Sequence, residues 1–496
     1  MMARSRLKRI LSVEALGWAI LLLALAAALT VRLRMLDIPL ERDEGEYAYT
    51  GQLLLQGVPP YKLAYSMKLP GTPVAYALVM AAFGRTIQGI HLGLLLINLA
   101  AVMLIFLISK RLSGILAATS AAAAYALLSV SQSVLGFAAH ATHFVVIMAL
   151  CGVFFLLKAQ EADKKYIFLS GIFFGLAFLM KQQGIFFVLL GIFWLSYKSS
   201  WRAAAVYALG AAIPFAAACL FLFLAGVFPK FWFWVFQYAP HYSSGLRLDA
   251  ALKLFQDQLL QVIRPFWPLW CIAALGFFCG KNRIFLIAFA AASFLTILPG
   301  FIFREHYFVT LLPAVALLAG SAVSSAAKKS AVPIFIFGGL LIISIFQQRH
   351  YLFQASPAEV SRKAYGANPF AESPEIARYL KANSSPEDIV AVLGSEPQVY
   401  FYANRRSATG YIYTYPLMEK QPYALRMQDE MIREIEKNNP RYLVFVNVPA
   451  SWLRRSDSAD LIFSWAQRYL ADGYALDKAI RLQPSYTALI YRRRSI

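Results

Sequence analysis

Acidic side chains gather in one short stretch near the start of the chain, Arg42-Asp43-Glu44-Gly45-Glu46-Tyr47. A carboxylate there can take a proton from a hydroxyl nucleophile. Cations able to stabilise charge growing on a leaving phosphate stand at Lys68, Lys181 and Arg304, with His306 and Tyr307 just after the last, and His140 and His143 lie between them. Carboxylates on one wall and cations on another suit transfer chemistry on an anionic substrate. Plainer readings stand beside these. Asp43 and Glu44 can be acids favoured at a helix start by its dipole, and Glu46 is read that way. Lys68, before Leu69-Pro70, can snorkel at a helix entry. Lys181 can mark a head-group boundary, and Glu305 can simply pair with Arg304. His140 and His143, spaced i, i+3, can share a helix face as hydrogen-bonded structure, and no metal site is assigned to them.

The elements that must hold these groups are membrane helices. Of 496 residues, 59% are hydrophobic and 15% charged, and mean hydropathy is +0.56, a balance that soluble domains do not show. The formal charge is +21, yet the basic residues are dispersed between apolar runs instead of forming one stripe, so no nucleic-acid partner is expected. Cysteines 151, 219, 271 and 279 sit in apolar stretches without metal-ligand spacing, which argues against a disulfide framework or zinc site. Roughly 20 helical residues at about 1.5 Å each cross a hydrocarbon core of about 30 Å. On that scale about eleven spans are expected, at 14–34, 88–109, 112–132, 138–158, 166–180, 183–197, 203–226, 263–280, 283–299, 307–326 and 331–346. The pair within 166–197 can instead be one kinked helix, which would reverse everything downstream.

Short cationic loops belong in the cytoplasm. With Arg4, Arg6, Lys8 and Arg9 inside, Lys110/Arg111, Lys158 with Lys164/Lys165, Lys198 with Arg202, Lys281/Arg283 and Lys328/Lys329 all fall on the inner side. The first helix lacks a convincing cleavage pattern and reads as retained. Segments 35–87 and 227–262, and everything after Phe346, then face outward. The predicted organisation is a helical membrane domain, 1–346, including the external loop 35–87, followed by an extracytoplasmic α/β domain, 347–496. In the latter, helices are expected from Ser373 to about Asn383, near 421–438 and near 458–471, with strands at 389–393, 442–446 and 485–491. Phe231-Trp232-Phe233-Trp234 reads as an interfacial anchor. Arg405, Arg406 and tyrosines 411, 413 and 415 suggest a sugar-binding surface. Arg32, Arg34, Arg42, Lys62, Lys68, Lys181 and Arg304 are outer-side cations that need a reason. Intramembrane ionisable groups usually face protein or water; one polar cavity opening outward, lined by Arg42, Tyr61, His140 and His143, is the simplest account. No Gly-rich phosphate loop, Asp-x-Asp pair, Walker motif or metalloprotease helix occurs, and soluble nucleotide donors are not expected outside, so the phosphate would arrive on a lipid.

Arg42-Asp43-Glu44-Gly45-Glu46-Tyr47-Ala48-Tyr49, Gly57-Val58-Pro59-Pro60-Tyr61 and Lys68-Leu69-Pro70-Gly71-Thr72-Pro73 with Tyr76-Ala77 resemble, in order and spacing, the first external loop of GT-C glycosyltransferases. The group concerned contains the protein O-mannosyltransferases and the lipid A aminoarabinose transferase. Ala139-His140-Ala141-Thr142-His143-Phe144, Lys181-Gln182-Gln183-Gly184, Arg304-Glu305-His306-Tyr307-Phe308 and Gly394-Ser395-Glu396-Pro397-Gln398 are similar to later landmarks of bacterial members. The resemblance implies a polytopic α-helical membrane transferase in a bacterial inner membrane. It would move a sugar, with inversion, from a polyprenyl-phosphate carrier to a glycan, lipid or protein acceptor on the periplasmic side. It implies Asp43 as general base with Glu44 beside it, Lys68 toward the carrier phosphate or lining the acceptor side, and Lys181, Arg304, His306 and Tyr307 toward the carrier phosphate. Where many relatives have an acid near the fourth span, this chain has His140 and His143, so a second carboxylate and a divalent metal stay open. The rival is a secondary transporter or lipid-carrier flippase. Such proteins place binding groups near the midplane in broken helices related by repeats; here polarity gathers at outer helix ends and no repeat is visible.

Overall fold

The computed structural model describes residues 2–159, 164–243, 247–483 and 485–494. The side chains of Arg4, Arg6, Lys8 and Arg9, on which the orientation reading begins, lie outside those described. Contacts group the chain into two units: 1–36, 91–218 and 246–355 form one, and 37–90, 219–245 and 356–496 the other.

The first unit is helical. Among the described residues five helices are long and apolar enough to cross a membrane, Glu14–Arg34, Ile87–Ser113, Ala141–Ala159, Trp201–Leu224 and Leu248–Gly276, and shorter apolar helices include Ile115–Leu128, Arg283–Leu295, Leu312–Ala326 and Val332–Gln347. Helix is present in each of the eleven stretches expected to span. Residues 166–197 form two helices, Lys164–Met180 and Ile185–Lys198, broken at extended Lys181 and packed on each other. Lipid gives helices no hydrophobic reason to associate, so close backbone approach matters. Gly171 and Gly175, one turn apart, provide it: a Cβ on Gly175 would collide with the Ala211 backbone of Trp201–Leu224. Two of the cations expected on the outer side find their reason here. The Arg32 guanidinium donates to the carbonyls of Gly136 at 2.6 Å and Ser129 at 3.2 Å, and Arg34 donates to those of Leu352 and Ala355. Both bind chain carbonyls and are structural ties.

The second unit is built on a five-stranded mixed sheet: β1 (Ile389–Leu393), β2 (Arg406–Ser407), β3 (Tyr442–Asn447), β4 (Tyr474–Gln483) and β5 (Tyr486–Arg493), in the order β2-β1-β3-β5-β4. Strands β2, β1 and β3 run parallel, and β5 and β4 complete the sheet antiparallel. The near-continuous apolar runs of β1 and β3 fit central strands covered on both faces. The sequence reading missed β4. Its Asp477, Lys478 and Arg481 break the apolar pattern, as charges on an edge strand do, and they discourage pairing with another chain. Helix Ala424–Asn438 buries Met427, Met431 and Ile435 at the i, i+4, i+8 spacing of one face. Residues of the stretches 37–90 and 219–245 join this core: Tyr65 stacks on Trp234 and meets Tyr411 edge-on. Phe231 and Trp234 are therefore buried, and of the expected anchor Trp232 is the exposed ring.

Candidate active site

Helix Arg42–Leu55 starts at Glu41, whose carboxylate accepts the Glu44 N–H at 2.9 Å while the Glu44 carboxylate accepts the Glu41 N–H at 3.2 Å. This capping box fixes the first turn. Asp43 then projects from that turn, and Glu46, three residues on, shares its face. The loop ahead of helix Gly71–Phe83 brings Lys68 to both. Its Nζ lies 2.8 Å from Asp43 Oδ1 and 2.7 Å from Glu46 Oε2. The loop is pinned near Lys68 by the Tyr61 hydroxyl, which donates to the Lys68 carbonyl at 2.7 Å, and by Ser66, which accepts the Lys68 N–H and donates to Glu46. The ammonium also sits over the rings of Tyr47, 4.6 Å, and Tyr413, 5.6 Å, and the Tyr413 hydroxyl donates to Asp43 Oδ1 at 2.8 Å.

The cluster is partly open: Asp43 keeps 29% and Lys68 21% of its side-chain exposure, against 4% for Glu46. Burial opposes the Lys68 charge, yet the carboxylates of Asp43 and Glu46 outweigh it and hold its pKa well above the ordinary lysine value. Burial lifts the Glu46 carboxyl above its usual range, with Lys68 and Ser66 pulling the other way.

In the first unit His140 stacks on His306 at 4.0 Å and 11°, His306 meets Tyr307 edge-on at 4.8 Å, and Lys181 Nζ stands 3.7 Å over the Tyr307 ring. Four of the expected site residues thus assemble within this unit. Arg304 is exposed and precedes the short 3-10 segment Glu305–Thr310. His143 is buried, and its helix starts at Ala141, so His140 precedes the helix and does not share its face.

Residues 68–228 match the family model described as dolichyl-phosphate-mannose-protein mannosyltransferase. Among solved structures, ArnT from Cupriavidus metallidurans bound to undecaprenyl phosphate superimposes with a TM-score of 0.65 at 16% identity, over 96% of this chain and 98% of that one. The same protein in the apo state gives 0.63 at 17% identity, again over 96% and 98%. The chain has a GT-C fold. An oligosaccharyltransferase from Archaeoglobus fulgidus, tethered to an acceptor peptide, gives a TM-score of 0.52 at 13% identity over 97% of this chain and 74% of its own. No curated protein matches the sequence.

Some expected site residues are engaged elsewhere. Arg42 donates to the Ser395 carbonyl at 2.5 Å, to Glu396 at 2.8 Å and to Asn368 at 3.0 Å, and lies between the rings of Phe370 and Tyr415. It ties the first turn of its helix to the strand-end loop after β1. Glu44 is the capping residue just described. Arg405 is buried on carbonyls of Lys381, Ala403, Asn404 and Ser384, while the hydroxyls of Tyr411 and Tyr415 donate to Glu430 and the Ala450 carbonyl; these three do not form an open sugar-binding face. The sequence reading passed over Glu46 and the link of Tyr413 to Asp43. The i, i+3 spacing from Asp43 could have flagged Glu46. Nothing local could have flagged Tyr413, which lies 370 residues away.

Proposed function

We propose that this protein is a membrane glycosyltransferase that moves a sugar from a polyprenyl-phosphate carrier to an acceptor at the outer membrane face, with inversion and with Asp43 as general base. The observation that carries the reading is the Asp43–Lys68–Glu46 cluster, 2.8 and 2.7 Å across its ion pairs, set in the stretch that resembles the GT-C external loop. The ArnT likeness and the match from Lys68 onward support it.

The acceptor O–H gives its proton to the Asp43 carboxylate as its oxygen bonds to the anomeric carbon. The bond from that carbon to the carrier phosphate breaks, and the phosphate leaves with the electron pair. Lys68 and Tyr413 both hold Asp43 Oδ1, which fixes the carboxylate's rotation before the acceptor arrives. An ammonium has three N–H donors; Asp43 and Glu46 take two, and the third can reach a phosphate oxygen. In this reading Lys181, Arg304, His306 and Tyr307 act toward the carrier phosphate. Eleven helices cross the membrane, the N-terminus is cytoplasmic and the α/β domain lies outside.

The test offers purified full-length protein a radiolabelled polyprenyl-phosphate sugar together with a glycolipid extract as acceptor. Release of free carrier phosphate with label in the acceptor supports the enzyme. Intact translocation of the donor without release supports a flippase and removes this reading.

A further inference from the structure

The second unit has a second polar hollow that the transfer chemistry does not use. An open cleft of about 450 Å³ lies between the Gly84–Gln88 turn, the exposed face of helix Ser373–Asn383 and the end of helix Pro397–Ala403. That volume is in the range of small-ligand sites. Three cations line it: Arg85 from the turn, and Arg378 and Lys381 from successive turns of the helix. All three are exposed, and among the described residues none is paired with a carboxylate. Gln52, Asn404 and Phe401 form the floor, where the Gln52 amide donates to Asn404 at 2.5 Å. Among the described residues one carboxylate is hydrogen-bonded to a lining residue: Asp37 accepts from Gln88 at 2.6 Å. The lining charge is strongly positive, and like charges held around one hollow without partners cost energy that an anion would recover.

Two placements define which anion. Arg85 precedes, and Gln88 lies in, the first turn of Ile87–Ser113, a 27-residue helix long and apolar enough to cross a membrane, so this part of the lining sits at the polar end of a candidate span, the level that lipid head groups occupy. Two guanidiniums and an ammonium match the oxygens of a phosphate group better than a lone carboxylate. The hollow is also distinct from the candidate active site: Gln52 follows Asp43 by nine residues on one helix, roughly 13 Å along its axis.

We propose that this cleft is a phosphate-binding site for a phospholipid-type head group, separate from the Asp43–Lys68–Glu46 cluster and independent of the transferase reading. The test measures binding to the full-length protein in neutral detergent by isothermal titration, with dihexanoyl phosphatidic acid, inorganic phosphate and dihexanoyl phosphatidylcholine as probes. Phosphatidic acid binding that weakens about tenfold or more in Arg85→Gln/Arg378→Gln/Lys381→Gln and falls with added salt is the expected result. Inorganic phosphate binding as tightly as phosphatidic acid assigns the site to free phosphate; preference for phosphatidic acid assigns it to the head group. Binding that the triple variant leaves unchanged, or equal binding of phosphatidylcholine, overturns the site, as does no binding of either phosphate probe. The substituted residues are exposed, and an unchanged melting temperature without ligand confirms that the variant folds. Because the readout is binding, failure of the glycosyltransferase assay leaves the result standing.

Discussion

The Tyr413 hydroxyl donates a 2.8 Å hydrogen bond to Asp43 Oδ1, joining the loop after β2 to the first turn of helix Arg42–Leu55. The same oxygen receives Lys68, so one carboxylate oxygen is fixed by two donors from different parts of the second unit. Removing the hydroxyl by Tyr413→Phe leaves the ring over Lys68 and takes only the bond. A hydrogen bond to a charged group contributes about 1.5–3 kcal/mol. Sugar transfer is expected to fall about tenfold, mainly in kcat, with expression unchanged. Steady-state kinetics of the purified variant check this, and wild-type kcat would show that Tyr413 does not position Asp43.

Gly45 sits where its helix meets Gln398; a Cβ there would come within 2.6 Å of the Gln398 backbone nitrogen. Backbone cannot rotate away as a flexible side chain can. Gly45→Ala is expected to destabilise the protein by about 1–3 kcal/mol and to displace the first turn that carries Asp43. Thermal unfolding in detergent should show a lowered Tm, and Gln398→Ala should not restore it, because the clash is with backbone.

Lys68 neutralises a carboxylate that is almost sealed from water. Lys68→Met strands Glu46, and breaking a buried pair costs about 3–5 kcal/mol; the partial exposure of Lys68 and Asp43 brings the expected loss to about 2–3 kcal/mol. A carboxyl whose folded pKa lies above its unfolded value binds its proton more tightly when folded, so acid stabilises it. Burial already lifts Glu46 in that direction, and losing Lys68 removes the main opposing influence. The Tm of the Met variant should rise as pH falls from about 7 toward the ordinary glutamate value of about 4.3, more steeply than that of the wild type. A parallel pair of curves would show that Glu46 is insensitive to Lys68.

On the alkaline side the sign reverses. With the folded pKa of Lys68 held above its ordinary value, its contribution is complete below the unfolded value of about 10.4 and disappears only as pH climbs through the folded value. Activity should therefore show no limb from Lys68 deprotonation up to about pH 9.5. A limb near pH 9 that shifts in Lys68→Arg would contradict this.

The helices and the loop 42–77 were legible because their signals are local: apolar length for the spans, and close motif spacing for the Arg42–Ala77 segment. Side-chain contacts at the candidate site could be anticipated only where partners are near in sequence, as with Asp43 and Lys68. Tyr413, Glu396 under Arg42, and the burial of Phe231 and Trp234 arise from tertiary packing, which no periodicity announces. Arg42 and Glu44 looked like site groups because charge near a carboxylate reads the same whether it binds a ligand or closes a helix end. Strand β4 was lost because an edge strand's charges erase the alternation by which strands are recognised.

The central claim is tested most directly by Asp43→Asn in the carrier-release assay. Asparagine keeps an oxygen for Tyr413 and Lys68 but cannot accept the acceptor's proton. The account predicts a folded, membrane-inserted variant with wild-type Tm within a few degrees and carrier-phosphate release reduced at least about a thousandfold. Release at more than about a tenth of the wild-type rate would contradict it and remove Asp43 from catalysis.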